Sequence, residues 1–120
     1  QAGVETMSDC IFCRIVEGTI PSTMAHEDDE CLAFEDLNPQ APVHVLVIPK
    51  RHIVSLADVQ EADLSLLGRL MLTCSYVAKQ KGLEESGYRV VTNIGANAGQ
   101  TVFHLHVHVL GGRGFQWPPG

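Results

Sequence analysis

The sequence has 120 residues, of which 45% are hydrophobic and 18% are charged, and its net charge is −6. This composition is typical of a single compact domain and excludes a disordered chain. An acidic chain is not expected to bind a nucleic-acid backbone, and no apolar run is long enough to cross a membrane. We therefore expect neither nucleic acid nor a membrane as a partner, although backbone N–H groups can still bind the phosphate of a single nucleotide.

The start of the chain shows no pattern typical of an export signal. We therefore expect a protein of the cytoplasm, with the nucleus as a further location, in which the four cysteines are reduced thiols. Residues 1–8 are expected to be disordered or to be an artificial extension ahead of the domain. Residues 9–120 are expected to form one domain.

The predicted elements begin with a short helix over residues 9–16, which ends near Gly18. Two strands, over residues 24–27 and 31–34, are separated by acidic residues and predict a hairpin. A loop with two prolines covers residues 36–42. The first third of the chain is therefore predicted to hold one helix and two paired strands.

A central strand and a long helix follow this loop. Residues 43–48 are apolar on both faces apart from one histidine, which is typical of a strand inside a sheet. Apolar residues at helical spacing predict a helix over residues 61–81. Ser55 or Asp58 is predicted to cap the start of this helix, and Gly82 is predicted to end it.

The last part of the chain predicts two strands, over residues 88–92 and 102–110, joined by a loop that contains glycine. A helix, a hairpin, a strand, a helix and two strands, in this order, are typical of an α+β fold with helices packed on an antiparallel sheet. We therefore predict an α+β fold with one short helix and one long helix.

Three histidines, His104, His106 and His108, alternate with apolar residues in the last predicted strand. Residues two apart in a strand share a face, so the three imidazoles are predicted to line one side of the sheet. Histidines rarely alternate in this way by chance, and the apolar residues between them disfavour an exposed, tag-like strand. A metal site formed by all three is also disfavoured, because neighbouring imidazoles stand roughly 7 Å apart along a strand.

A division of roles suits this spacing better than a shared metal ion. The central imidazole, His106, can attack phosphorus in its neutral form, which is populated near neutral pH. Its neighbours can fix its tautomer and contact the phosphate or the leaving group. The pattern therefore predicts that His106 is a nucleophile.

The triad and its surroundings resemble the histidine-triad (HIT) superfamily over nearly the whole chain from about Asp9. The end of the chain, Trp117-Pro118-Pro119-Gly120, is similar to that of the Hint branch, the purine nucleoside phosphoramidases. The other supporting segments are Cys31-Leu32-Ala33-Phe34, Pro39-Gln40-Ala41-Pro42-Val43-His44, Val47-Ile48-Pro49-Lys50 and Gly99-Gln100-Thr101-Val102.

The resemblance implies a homodimer whose antiparallel sheet continues across the subunit interface, with a purine nucleotide of the AMP type bound in a cleft of each subunit. It implies that His106 becomes nucleotidylated and that His44 and His104 support and orient it. By the same resemblance, His108 lies beside the phosphate and the leaving group. Trp117 is expected to reach the site of the partner subunit.

The resemblance also assigns residues to the parts of the nucleotide. Asp36 is expected to bind the ribose hydroxyls. From the residues alone, a turn or core packing is the favoured interpretation of such positions. Besides His106 and His108, phosphate contacts are expected from Asn93, Gly99 and Thr101, and the base is expected to lie among Ile11, Phe12, Ile15, Phe34 and Leu37.

Cys10-x-x-Cys13 has a spacing that is common in metal sites, and a four-ligand site needs two further groups. His52 and His104 are the candidates, and some HIT proteins carry zinc on this ligand set. Members with the C-terminal segment seen here often lack the cysteines, so a structural zinc ion and a metal-free pair of thiols both stay open. No cofactor is expected to be required for catalysis.

The predicted reaction is hydrolysis of the P–N bond of a purine nucleoside 5′-phosphoramidate, with adenosine preferred, through a nucleotidyl-histidine intermediate. Two alternatives stay open. One is cleavage of dinucleoside polyphosphates, as in the Fhit branch of the superfamily. The other is a nucleotide- or zinc-binding regulatory protein whose partners are proteins.

Overall fold

Five strands form one antiparallel sheet in the computed structural model, which describes residues 9–120. Their spatial order is β1-β2-β3-β5-β4. The predicted α+β fold is confirmed, and the expectation for residues 1–8 falls outside the described part of the chain. The elements are α1 (Ile11–Glu17), β1 (Met24–Glu27), β2 (Cys31–Glu35), β3 (Val43–Pro49), α2 (Leu64–Gln80), β4 (Tyr88–Val91) and β5 (Val107–Gly111), with 3-10 turns at Leu56–Asp58 and Glu61–Asp63.

A thiol caps the first helix. The Cys10 sulfur accepts a hydrogen bond from the backbone N–H of Cys13 at 3.3 Å, which satisfies one of the free donors of the first turn. At the other end, Gly18 has a left-handed φ of 84° and donates its N–H to the carbonyl of Ile15. The predicted short helix is therefore confirmed, and its first turn carries both cysteines of the Cys-x-x-Cys motif.

The two helices cover opposite faces of the sheet. Alternate residues of β3 divide between these faces, because successive side chains of a strand point in opposite directions. Val45 and Val47 lie in a core with α2, whereas Leu46 and Ile48 lie in a second core with Phe12 of α1. Since His108 pairs with Leu46 across the sheet, the face on which α1 packs is also the face of the histidines.

The long helix begins later than predicted, and with different caps. Residues 61–63 form a 3-10 turn, and the side chain of Asp63 accepts from the backbone N–H of Gln60 at 2.8 Å in a capping box. Ser55 caps the separate turn at Leu56–Asp58, because Val59 is extended and breaks the helical path. Neither helix of residues 9–120 is long and apolar enough to cross a membrane.

The last strand is shorter than predicted. It was expected over residues 102–110, but ladder pairing starts only at Val107, opposite Val47. In this register β3 ends at Pro49, opposite Leu105, so residues 102–104 have no adjacent strand to pair with. Leu105 instead donates its N–H to the carbonyl of Ile53 at 2.6 Å. His104 and His106 therefore precede the strand that was predicted to hold them.

Candidate active site

The histidines alternate in direction as predicted, although only His108 lies within a regular strand. Leu105 belongs to the core beneath α2, whereas the ring of Phe12 on α1 lies edge-on to His106, with the ring centroids 5.1 Å apart. The rings of His106 and His108 are 5.2 Å apart between centroids. The extended chain thus keeps the period of two through its irregular part, and the imidazoles face α1.

The hydrogen bonds of His106 decide which nitrogen carries its proton. Its Nδ1 lies 2.7 Å from the backbone carbonyl of His104, and a carbonyl oxygen can only accept, so Nδ1–H is the donor. In the neutral ring the lone pair is then on Nε2, which has no hydrogen-bond partner among the described residues. His106 lines a cavity of about 540 Å³. His106 therefore has its proton on Nδ1 and an unprotonated Nε2, which is the tautomer that attack by Nε2 requires.

A chain of hydrogen bonds runs from Gln40 through His44 to His108 and fixes the tautomers of both histidines; it is called the relay below. The backbone N–H of Gln40 donates to Nδ1 of His44 at 3.0 Å, which places the proton of His44 on Nε2. That nitrogen lies 2.8 Å from Nδ1 of His108 and 3.3 Å from a carboxylate oxygen of Asp36. Nδ1 of His108 accepts, so its Nε2–H is the free donor. His44 therefore contacts His108 and not His106, and His104 supports His106 through its carbonyl and not through its ring.

Burial keeps this relay uncharged. Desolvation, followed by the nearby charges of His106 and His44, lowers the pKa of His108 to about 4. Burial also lowers the pKa of His44, against the opposing effect of Asp36. Neutral imidazoles at pH 7 are what the hydrogen-bond pattern requires, since a doubly protonated His44 could not accept from Gln40.

Folding is therefore expected to become less favourable in acid. The pKa of His108 is lower in the folded chain than its usual 6.5. The free energy that the neutral His108 ring contributes to folding is therefore present in full above pH 6.5 and is lost as the pH falls toward 4. Such a shift corresponds to about 3 kcal/mol of unfolding free energy. Urea unfolding at pH 7 and pH 4.5 should show a smaller acid loss in His108→Asn than in the wild type. Equal losses would contradict the assignment.

The cavity beside the histidines has a volume of about 540 Å³, which is in the range of small-ligand sites. Asp36, Leu37, Gly99 and Thr101 line it together with the histidines. Other residues assigned to the nucleotide by resemblance lie elsewhere. Of the assigned residues the cavity is lined by Phe12, Phe34, Asp36, Leu37, Gly99, Thr101, His106 and His108, and it is not lined by Ile11, Ile15, Asn93 or Trp117.

These four residues occupy distinct surroundings. Ile15 is buried in the core beneath α1, and Ile11 is 47% exposed on the same helix. Asn93 lines a smaller adjacent cavity that also contains His44 and His108. Trp117 is 82% exposed in the single chain. Contacts of Trp117 with a partner subunit therefore stay a prediction.

Gln100 is a site residue that the sequence reasoning did not single out. It is buried, and its side-chain oxygen accepts from the N–H of Gly95 at 2.9 Å. Its amide donates to the carbonyl of Val54 at 2.7 Å and to that of Val102 at 3.2 Å. These bonds hold the loop that presents Gly99 to the cavity. The only signal in the sequence was its position beside that glycine.

The structure brings together the four residues predicted to bind a metal. The ligand atoms of Cys10, Cys13, His52 and His104 all lie within 4.8 Å of one another. Sulfur-to-nitrogen distances are 3.3 Å for Cys10 to His104 and 3.2 Å for Cys13 to His52. Ligands at about 2.0–2.3 Å from a tetrahedral ion are separated by about 3.5 Å, so the spacing fits zinc.

The orientation of His104 also fits a metal ligand. Its Nε2 lies 2.8 Å from the carbonyl of Pro49, so Nε2 carries the proton and Nδ1 keeps a lone pair toward the two sulfur atoms. Burial lowers the pKa of His104 to about 4, which keeps the ring neutral. In the same cluster, Nε2 of His52 is buried without a hydrogen-bond partner among the described residues.

Comparison with known proteins identifies the family. Residues 17–115 match the HIT domain. An uncharacterised HIT-like protein of Synechococcus elongatus is 54% identical over 112 residues, which are 93% of this chain and 97% of the relative. A 14 kDa zinc-binding protein of Zea mays is 50% identical over 115 residues, which are 94% of this chain and 89% of the relative.

A solved structure agrees with these relatives. The crystal structure of a HIT family hydrolase from Legionella pneumophila superposes with a TM-score of 0.91 at 48% identity, and the match covers 92% of this chain and 99% of the other. The likeness thus extends over the sheet, both helices and the segment that carries the histidines. On the strength of this agreement in sequence and fold, the chain belongs to the HIT domain family.

Proposed function

We propose that the protein hydrolyses the P–N bond of purine nucleoside 5′-phosphoramidates, with adenosine preferred. One observation carries this proposal: the carbonyl of His104 holds Nδ1–H of His106 at 2.7 Å and leaves Nε2 as a nucleophile beside a nucleotide-sized cavity. The hydrolase named among the structural relatives agrees with the reaction class.

The proposed reaction has two displacements at the α-phosphorus. In the first, Nε2 of His106 forms a bond to phosphorus, the P–N bond breaks with its electron pair left on the amine nitrogen, and the amine takes up a proton from water in the cavity. The carbonyl of His104 stabilises the positive charge that develops on the ring, because it accepts from Nδ1–H. Nε2–H of His108 faces the same region and can donate to a phosphate oxygen or to the leaving amine. Water then attacks phosphorus and releases His106.

The nucleoside is proposed to bind in the cavity beside the histidines. The rings of Phe12 and Phe34, which lie edge to face with centroids 5.5 Å apart, offer an apolar wall for a base. Asp36 lines the same cavity, and its carboxylate, 3.3 Å from Nε2 of His44, can accept from ribose hydroxyls. These apolar contacts favour binding of a purine base, and they are shared by all purines.

Steady-state hydrolysis of a fluorogenic adenosine phosphoramidate tests the proposal, with a dinucleoside polyphosphate assayed beside it. We expect turnover of the phosphoramidate at a kcat/KM at least about 10-fold higher. The reverse preference would favour the polyphosphate reaction. Nucleotide binding without turnover of either compound would favour a regulatory binding protein.

We further propose that Cys10, Cys13, His52 and His104 bind a structural zinc ion. When bound, zinc would join the first turn of α1 to the segment after β3 and to the histidine segment, as a closed four-ligand site does. The zinc-binding relative from maize supports this proposal. The reaction itself needs no cofactor in this scheme. Metal analysis of purified protein should find close to one zinc ion per chain.

The protein is also proposed to be a homodimer in which the sheet continues through β4. Strand β4 is an edge strand, and an apolar cavity of about 380 Å³ lies between it and α2. Met71 on α2 and Val90 on β4 line this cavity and are 50% and 39% exposed. Pairing of two β4 strands would cover this surface and bring Trp117 toward the partner's site. Sedimentation equilibrium tests the stoichiometry.

A further inference from the structure

A second cavity adjoins the candidate nucleotide cavity at the histidines. Its volume is about 230 Å³, and it shares Gln40, His44 and His108 with the first cavity. Arg89 and Arg113 line the second cavity but not the first. A phosphorus atom within reach of the histidines would therefore lie where the two cavities meet, and the leaving part of the substrate would extend toward the arginines.

The two guanidinium groups are held in place. Arg89 donates to the carbonyl of Gln116 at 2.9 Å, and Arg113 donates to the carbonyl of Gln40 at 3.0 Å. Their central carbons lie 5.1 and 4.3 Å from the centroid of the Phe115 ring. Each guanidinium has five N–H donors, and the carbonyl contacts use one donor of Arg89 and two of Arg113. Both groups therefore keep donors for a ligand while their positions are fixed.

The charges of these arginines are not neutralised by the protein. Within the described residues, neither arginine forms an ion pair with a carboxylate, in contrast to Arg51 and Arg69. Because both contact one phenyl ring, they lie within about one Debye length of each other and repel. An anion between them would relieve this repulsion. The chain as a whole has a net charge of −6, so this positive patch is a local exception.

We propose that Arg89, Arg113 and Phe115 form a subsite for an anionic group on the leaving side of the substrate. The inference rests on the proposed function, because that function places the α-phosphorus at His106. The shared chemistry of the ligand is a carboxylate or a phosphate, both of which accept paired hydrogen bonds from guanidinium. Its sources are an amine that carries a carboxylate, or a further phosphate attached to the α-phosphate.

An equilibrium measurement tests the subsite without any turnover. Calorimetry would compare ADP with AMP, because only ADP carries an anionic group beyond the α-phosphate. We expect the wild type to bind ADP at least about 5-fold more tightly, and Arg89→Gln/Arg113→Gln to reduce this ratio to about 1. Arg69→Gln, on the exposed side of α2, is the matched control and should keep the ratio. No preference for ADP in the wild type, or an unchanged ratio in the double variant, would overturn the proposal.

A second variant separates loss of charge from loss of shape. Arg89→Lys/Arg113→Lys keeps both positive charges but removes the forked donors that also bind the carbonyls of Gln116, Gln40 and Gly114. An intermediate ratio of ADP to AMP affinity is expected. Equal loss of the ADP preference in the lysine and glutamine pairs, at the wild-type melting temperature, would show that binding depends on the paired guanidinium donors and not on charge alone. An ADP preference kept in full by the glutamine pair would overturn the subsite.

Kinetics then distinguish the two sources of the anion. The substrates are the adenosine phosphoramidates of β-alanine and of β-alanine amide, which differ only in a carboxylate. A kcat/KM at least about 5-fold higher for the carboxylate, lost in the glutamine pair, would identify a carboxylated amine. An ADP preference without this kinetic preference would identify a further phosphate. Turnover of neither phosphoramidate would refute the proposed function, and the ADP-to-AMP ratio would still decide the subsite.

Discussion

Replacing His106 by asparagine is expected to lower the turnover of adenosine phosphoramidate by more than about 10³-fold, because no other group in the cavity can form the covalent intermediate. The asparagine amide can still donate to the carbonyl of His104, so the fold and the cavity should be preserved. AMP affinity is therefore expected to stay within about 3-fold of the wild type. Stopped assays for activity and calorimetry for binding measure the two effects separately.

The control for this variant is His26→Asn. His26 lies at the hairpin, where it contacts Asp28 at 3.0 Å and the ring of Tyr76, and it does not line the cavity. Its replacement should leave turnover unchanged. Acid-free quenching of the wild type followed by mass spectrometry should find the mass of a nucleotidyl group on His106. Wild-type turnover in His106→Asn, or an adduct on another residue, would contradict the mechanism.

Replacing Cys13 by serine is expected to abolish stoichiometric zinc binding and to lower the free energy of unfolding by about 3 kcal/mol or more. Cys13 is buried, and its sulfur lies 3.2 Å from Nδ1 of His52 and 3.5 Å from Nδ1 of His104. A serine hydroxyl is a poor zinc ligand, so the remaining three groups would hold the ion weakly. Metal analysis and urea unfolding, each with and without a chelator, measure the change.

Cys74→Ala is the matched control for this prediction. Cys74 is buried in the other core, beneath α2, where burial raises the pKa of its thiol to about 12. The Cys74→Ala variant should lose some packing free energy but should still bind zinc. The chelator should destabilise this variant as much as it destabilises the wild type. Zinc retained by Cys13→Ser, or wild-type protein purified without zinc and insensitive to the chelator, would refute the proposed metal site.

Local sequence patterns predicted most of the secondary structure because each element carries its own periodicity. The apolar stripe of α2 and the hairpin around Asp28 depend on neighbours in the chain. One error occurs where an element needs a distant partner. Residues 102–106 have strand-like alternation, but β3 ends at Pro49, so residues 102–104 have no strand beside them and regular pairing starts only at Val107. The start of α2 was also misplaced, since Gln60 and Asp63 cap each other across a turn that periodicity does not reveal.

For the candidate site, the alternation of the histidines was sufficient to predict that they share a face. The resemblance, and not this alternation, assigned Ile11 and Ile15 to the base. In the structure Ile15 is buried in the core beneath α1 and Ile11 is exposed, so their contacts with a base stay a prediction. A helix of two turns offers several apolar side chains, and only its angle on the sheet decides which one reaches the cavity. Phe12 is the one that does.

What the sequence by itself determined is the set of reactive groups and their order along an extended chain, because side-chain direction in such a chain follows from a period of two. What only the tertiary structure decided is the chemical state of each histidine. The carbonyls of His104 and Pro49 and the N–H of Gln40 select which ring nitrogen carries a proton. Two contacts of this network, His104 to Pro49 and His44 to His108, join residues that are 55 and 64 positions apart. Hydrogen-bond acceptors and donors act over about 3 Å in space, so their effect is not encoded in any local spacing.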